Sequence, residues 1–416
     1  MTMALRRWHM LPALAVALTL TVAGCSDDGG ADSADTGADV SLLGEANAAT
    51  GTPVEIAFPT TGASAAAYTH ETEVAEATVK YINEYLGGIN GHPITLTICE
   101  DGLQAAKARE CANKAVGSKA VAVVGGTPSS PDMIAGVTSP AGVPFFTTNG
   151  GSDKSMTLPN TYVLSNTPGG LVGLPAAMTK EAGAKKAALI TIDAPIATGA
   201  IKALGPLAFG NAGVQMDLVA VPPGTADMTP QVQAALDGGA GFFQVLGDES
   251  FCVAAFRAMR TLGADQPILT VNNCATKKVA DQVPGGLEGI KVQIGDDLSP
   301  DAADTKLFKA VLSKYGAAGK EDGASAFRSL VAFQRALSGM QGDVTRESIA
   351  ARLNAQPEPA EIPISAGLKF QCGSKPVVVA PNICTGGVLV GTADKDGNFS
   401  GIKPYEVAKL LAPPSR

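Results

Sequence analysis

From Val54 onward, short β-rich runs alternate with stretches of helical spacing, and that alternation constrains the fold of this chain more than any other feature. Val54 to Phe58 reads as a strand. Val74, Ala77, Tyr81 and Tyr85 then recur at helical spacing until Gly87-Gly88 stops them. Ile94 to Cys99 is the next strand, followed by a helix near Gln104 to Val116 and a strand at Val121 to Val124. Ser130-Pro131-Asp132 supplies an N-cap, a first-turn proline and an N-terminal carboxylate, so a helix starts there. Val143 to Thr147 returns to strand. Beyond Pro168 the alternation resumes with helices near Leu171 to Ala182, Ala197 to Asn211, Pro230 and Phe256, and with strands at Ala187 to Ile192, Val214 to Val221, Phe242 to Leu246 and Ile268 to Val271. Strands that alternate with helices make parallel sheets covered on both faces, and two such runs make two α/β lobes. Asp301 to Asn354 is mostly helical, and Gly367 onward returns to strands and turns.

A chain of 416 residues with 45% hydrophobic and 17% charged residues can bury a large core. Its net charge of -8 leaves no basic field for phosphate backbones, so nucleic acid is excluded as a partner.

The first 24 residues have the order of an export signal: Arg6 and Arg7, then an apolar run from Leu11 to Ala23 that is too short to span a bilayer. The run ends in Val22-Ala23-Gly24-Cys25, which resembles the bacterial lipobox. That resemblance implies cleavage before Cys25, acylation of its sulfur, and an extracytoplasmic protein held to the membrane by its lipid. Residues 25–52 are rich in Asp, Gly, Ala and Ser, and read as a disordered tether. Six further cysteines remain, an even set suited to an exported protein. They allow 15 connectivities, among which the sequence does not choose. Sequential pairing, Cys99 with Cys111, Cys252 with Cys274 and Cys372 with Cys384, is the expectation carried forward. No CxxC occurs and only His70 and His92 lie beyond the signal, so neither a metal site nor a cofactor is expected.

Two loops are equipped to hold a ligand at the carboxyl ends of strands. Gly125-Gly126-Thr127-Pro128-Ser129-Ser130 leaves one strand and enters a helix, and Thr147-Thr148-Asn149-Gly150-Gly151-Ser152 follows the next strand. Glycines admit a ligand to the backbone, and hydroxyls and free amides can hold a carboxylate. The competing reading is a capped helix and a tight turn, with Asp132 answering the helix dipole.

Thr60-Thr61-Gly62, Ile82-Asn83, Gly87-Gly88-Ile89-Asn90-Gly91, Glu100-Asp101, Val123-Val124-Gly125 and Val143-Pro144 together resemble the branched-chain amino-acid binding proteins of ABC importers. Weaker likeness continues through Phe256 to Gly263 and into the last strands. The resemblance implies an α/β, two-lobed type I periplasmic-binding fold. Three crossings, near 168, 296 and 368, would join residues 53–168 with 297–368 as lobe one and residues 169–296 with 369–416 as lobe two. It also implies a monomer that closes on a small solute and delivers it to an ABC permease and its ATPase.

By the same resemblance, Ser129, Ser130 and the loop of Asn149, Gly150, Gly151 and Ser152 would hold the solute's carboxylate, and Tyr68 would stack on it. The chain departs from the family where an acid pairs with an amino acid's ammonium: the matching stretch is Asn272-Asn273-Cys274, without a carboxylate, and a family tyrosine is missing near Ala197. Asp248 and Glu249, or Asp193, could supply the charge. The expected ligand is a small polar solute, an amino acid, an amide or a small carboxylate; the missing acid weighs against the amino acid and opens the way to an aromatic acid as well. A sugar is disfavoured, because the chain beyond the signal has no tryptophan to stack on it. The alternatives are a sensory receptor with the same cleft, or a secreted serine hydrolase using Ser129 or Ser130. The hydrolase lacks a GxSxG elbow, so the chain is read as a binding protein and not an enzyme.

Overall fold

The computed structural model describes residues 40–64 and 69–413. Two sheets organise them. The first contains β1 (Val54–Thr60), β2 (Ile94–Glu100), β3 (Ala122–Gly125), β4 (Phe145–Thr147) and β5 (Thr161–Val163), in the order β2-β1-β3-β4-β5 and parallel throughout. Its helices are α1 (Glu71–Tyr85), α2 (Ala105–Gly117), α3 (Pro131–Thr138) and α4 (Lys154–Thr157). β1 runs Ile56 to Thr60 without an exposed residue, as expected of a strand covered on both faces.

The second sheet begins with β6 (Lys186–Ile192), β7 (Gln215–Val221), β8 (Phe242–Leu246), β9 (Ile268–Val271) and β10 (Lys291–Ile294), all parallel. α5 (Leu174–Glu181) leads into β6, and between the strands lie α6 (Pro195–Ala212), α7 (Thr229–Asp237), α8 (Glu249–Thr261) and α9 (Lys277–Ala280). The chain then leaves this sheet for α10 (Ala303–Lys314), α11 (Ala324–Leu337) and α12 (Arg346–Asn354), and for a short pair, β11 (Ala360–Glu361) and β12 (Lys369–Phe370). It returns as β13 (Gly387–Ala393) and β14 (Phe399–Glu406), which make the edge antiparallel in the order β14-β13-β10-β9-β8-β6-β7. A hairpin closing on a parallel sheet leaves no period-3.6 stretch to announce it, so the mixed edge was not visible in the alternation.

α11 packs on α1 and on the first sheet. Every residue from Ala324 to Phe333 is buried, and Phe333 meets Phe146 of β4 with ring centroids 5.4 Å apart. Each such buried aromatic contributes roughly 1.5–3 kcal/mol. The chain thus passes between the two sheets after β5, after β10 and between β12 and β13.

Cys99–Cys111, Cys252–Cys274 and Cys372–Cys384 are disulfides, as sequential pairing expected. The tether needs correction. Residues 40–52 lie along the first lobe: Val40–Leu43 is a 3-10 turn against α10, and Leu43 is only 3% exposed. Asn47 N and Ala49 N donate to the carbonyls of Glu84 and Asn83 at 3.0 and 2.8 Å, and Gly51 N donates to Gly91 O at 2.9 Å. Composition misjudged this segment because one leucine and a few backbone hydrogen bonds dock it on a surface the rest of the chain has already built. The signal, Cys25 and Tyr68 lie outside the described residues.

Candidate functional site

The carboxyl ends of β3, β4 and β5 in one sheet face those of β9 and β10 in the other, across a cleft of about 260 Å³. The first strand order reverses between β1 and β3, and such a switch point is where open parallel sheets place ligands. Thr127 follows β3, Asn149 follows β4, and Leu164 and Ser165 follow β5. From the second sheet come Asn272 after β9 and Gln293 to Asp296 at the end of β10. Ser325 and Arg328 of α11, Ser365 and the start of β13 complete the wall. Among the described residues that line it, none is aromatic. The volume falls just under the range of about 300–1,000 Å³ typical of drug-sized ligands, so the cleft suits a small solute.

Glycine makes part of this geometry possible. A Cβ on Gly170 would stand 2.0 Å from Gln293 Nε2, so a side chain there would displace that flexible amide from its place in the wall.

Arg328 and Asp296 carry the charge. Arg328 is 6% exposed, and its Nη1 lies 2.6 Å from Asp296 Oδ1 across the two lobes. That contact is ionic: no N–H of Nη1 is aligned on Oδ1, and Nη1 donates to the Gly295 carbonyl. Arg328 Nε and Asp296 Oδ1 are buried and have no hydrogen-bond partner. Burial raises the Asp296 pKa above the usual carboxylate value, and the guanidinium opposes the shift only in part.

Beneath the cleft, Glu71 opens α1 with 0% exposure. Its Oε2 accepts from Thr60 Oγ1 at 2.7 Å, and its Oε1 accepts from Thr127 N at 2.8 Å and from Ser325 Oγ. Two of these donors belong to cleft residues, so the carboxyl ties the β3 loop to α11. Burial raises its pKa against the pull of those hydrogen bonds.

Of the residues named from sequence, Asn149 and Asn272 line the cleft. Ser129 and Ser130 do not. Ser129 N donates to Asp101 at 3.3 Å, and the two hydroxyls lie 3.4 Å from each other. Gly150, Gly151 and Ser152 are also absent from the lining, because their turn is organised around Asp132. That carboxylate accepts from Ser152 N at 3.0 Å and from Ser155 N and Oγ at 2.8 and 2.7 Å, while Gly151 N donates to Ser155 Oγ. Burial resists ionisation of Asp132, and the amide and hydroxyl donors outweigh it to hold the pKa low. Asp132 thus holds the following loop and start of α4, while Ser130, the residue before α3, makes no side-chain cap hydrogen bond.

The compensating acids fail for equally local reasons. Asp248 caps α8, accepting from Ser250 Oγ at 2.6 Å and Phe251 N at 2.9 Å. Glu249 is taken by Lys278 Nζ at 2.5 Å and Thr276 Oγ1 at 2.9 Å. Asp193 is exposed and does not line the cleft. Nor do the histidines assemble with the serines: His70 Nδ1 lies 2.7 Å from Asp322, and His92 Nδ1 lies 2.7 Å from the Thr52 carbonyl. Among the described residues there is no cluster of three metal-ligating side chains and no helix long and apolar enough to cross a membrane.

Sequence reasoning missed Asp296 and Arg328. Asp296 sits in Gly295-Asp296-Asp297, which reads as an ordinary turn. Arg328 did leave a signal, a lone cation inside the apolar run Ala326-Phe327-Arg328-Ser329-Leu330-Val331.

A family model described as periplasmic binding protein matches residues 53–370. No curated protein sequence matches the chain. Among solved structures, one from Rhodospirillum rubrum, provisionally described as a branched-chain amino acid ABC transporter, is 20% identical, with a TM-score of 0.67 over 84% of this chain and 99% of that one. A solute binding protein of an ABC transporter from Rhodopseudomonas palustris, in complex with p-hydroxybenzoic acid, is 18% identical, with a TM-score of 0.64 over 86% and 98%. The branched-chain amino acid transporter substrate binding protein of Streptococcus pneumoniae, in complex with isoleucine, is 19% identical, with a TM-score of 0.60 over 86% and 100%. At these identities the likeness is one of fold.

Proposed function

Because the chain belongs to the periplasmic binding protein family, we infer that it captures a small polar solute between its lobes by hinge closure and delivers it to an ABC permease and its ATPase. The cleft carries this reading, since polar groups from both sheets converge on one small volume and its two charged side chains come from opposite lobes. Closure requires contacts that exist only when both walls touch the ligand, and a wall built from two lobes supplies them. The solute classes that fit are an amino acid, an amide or a small carboxylate. Acylated Cys25 would hold the protein outside the cytoplasm, at the membrane that contains the permease.

The test is a thermal-shift panel of amino acids, amides, ureas and carboxylic acids on the chain from residue 40, followed by small-angle scattering with any solute that binds. A solute at 100 times its dissociation constant stabilises the folded state by about 2.7 kcal/mol. Scattering should then show a smaller radius of gyration. A tight ligand that leaves the scattering curve unchanged would overturn hinge capture.

A further inference from the structure

Burying a polar atom without a partner is unfavourable, and native chains rarely do it without a use for the atom. Three residues of the lining hold such atoms: Thr127 Oγ1 and, of opposite kind on side chains already in ionic contact, the Arg328 Nε–H donor and the Asp296 Oδ1 acceptor. Among the described residues these are also the only ionisable side chains in the lining, and as an ion pair they leave the cleft without net charge. Among the described residues, Lys and Arg are otherwise absent from the wall, as are Glu and a second Asp.

We propose that Arg328 and Asp296 together read a planar O=C–N–H edge, so that the solute taken by this cleft is a carboxamide or ureido compound without net charge. The carbonyl oxygen of such a group accepts from Arg328 Nε, and its N–H donates to Asp296 Oδ1. A carboxylic acid of the same shape presents two acceptors. One of them then opposes the Asp296 carboxylate, and a desolvated contact of that kind selects strongly against the acid. A cationic amine satisfies Asp296 but stands against the guanidinium. Asn149, Asn272 and Gln293 add amide groups to the same wall that can donate or accept as the rest of the solute requires.

This proposal rests on the cleft being the solute site, and the experiment separates the two. Titration calorimetry at pH 7.5 compares isosteric pairs, propionamide with propionate and glutamine with glutamate, together with N-methylurea, on wild type, Asp296→Asn and Arg328→Gln. Far-ultraviolet circular dichroism and the melting temperature without solute check that each variant is folded. Wild type should prefer the amide over its acid by tenfold or more. Asp296→Asn, which puts an N–H donor where the acceptor stood, should reverse or erase that preference, a change that a purely structural role would not produce. Arg328→Gln should weaken the amide at least tenfold. If an amide and its acid bind equally to wild type, or if Asp296→Asn leaves their ratio within twofold, the amide reading is overturned while the cleft still binds solute. If solutes of every class fail to bind wild type, the solute-binding function falls, and this reading with it. If Asp296→Asn does not fold, Asp296→Ser takes its place, with loss of the amide preference as the supporting result and an unchanged ratio as the contrary one.

Discussion

Replacing Glu71 by Gln should make the stability of this protein less dependent on pH, with a sign that follows from the surroundings of the carboxyl. Glu71 is fully buried, and the groups bonded to it are neutral donors: Thr60 Oγ1, Thr127 N and Ser325 Oγ. Burial therefore raises its folded pKa above the ordinary 4.5, and the hydrogen bonds recover only part of the shift. Above pH 4.5 the unfolded chain has released this proton while the folded chain still holds it. The folded state then binds more protons, and each pH unit in that window removes about 1.4 kcal/mol from wild type until the folded pKa is passed. The contribution is complete below the unfolded pKa and is lost as the pH rises. Glu71→Gln keeps an oxygen for Thr127 N and Ser325 Oγ, presents its NH2 to the Thr60 hydroxyl, and does not titrate. Urea denaturation of both proteins every half unit from pH 4 to 7.5 should show the difference, Gln variant minus wild type, growing with pH. Asp296 has a pKa raised in the same direction, but it is common to both proteins and cancels. A difference that stays flat or shrinks across that range would refute the argument. Glu71→Ala is the contrast: it strands three buried donors, and should be less stable than the Gln variant by about 3 kcal/mol at neutral pH.

Three other outcomes are expected. Leu43→Ala should lower stability by about 2 kcal/mol in chemical denaturation, because Leu43 is 3% exposed although it belongs to a segment whose composition reads as a tether. Converting both Cys252 and Cys274 to Ala should cost about 3 kcal/mol in the loop-entropy model. It should also raise the solute dissociation constant in calorimetry, since the bond holds the loop that presents Asn272 to the cleft. Cys25→Ser should move the protein from the membrane to the soluble fraction, or leave its signal uncleaved on a gel, because acyl chains retain a protein by roughly 0.8 kcal/mol per buried CH2.

The parallel cores of both lobes were legible because β-rich runs such as Phe242 to Leu246 and helical runs such as Phe251 to Met259 differ in period. β5 is only Thr161–Val163 and β10 only Lys291–Ile294, both too short to show a period. The site was legible as a region and not as side chains. Loops after β3 and β4 were singled out for their hydroxyls and amides, but whether a donor faces a ligand or a neighbour depends on contacts as local as that of Asp132 with Ser155. The charged pair was harder still. Asp296 and Arg328 lie 32 residues apart in sequence on different lobes, and only the tertiary fold brings them to 2.6 Å.

The docked stretch from Val40 to Thr52 also decides where a mechanical load would enter the molecule. Its described hydrogen bonds run to α1 and to the Gly91–His92 turn, and its leucine rests on α10, all on the side of the first sheet. A pull from the N-terminal direction is thus taken up by one half and never crosses the mouth of the cleft. Tethering should neither pry the halves apart nor hold them shut, and an affinity measured on a freely diffusing truncated chain should carry over unchanged to the same protein fixed at a surface.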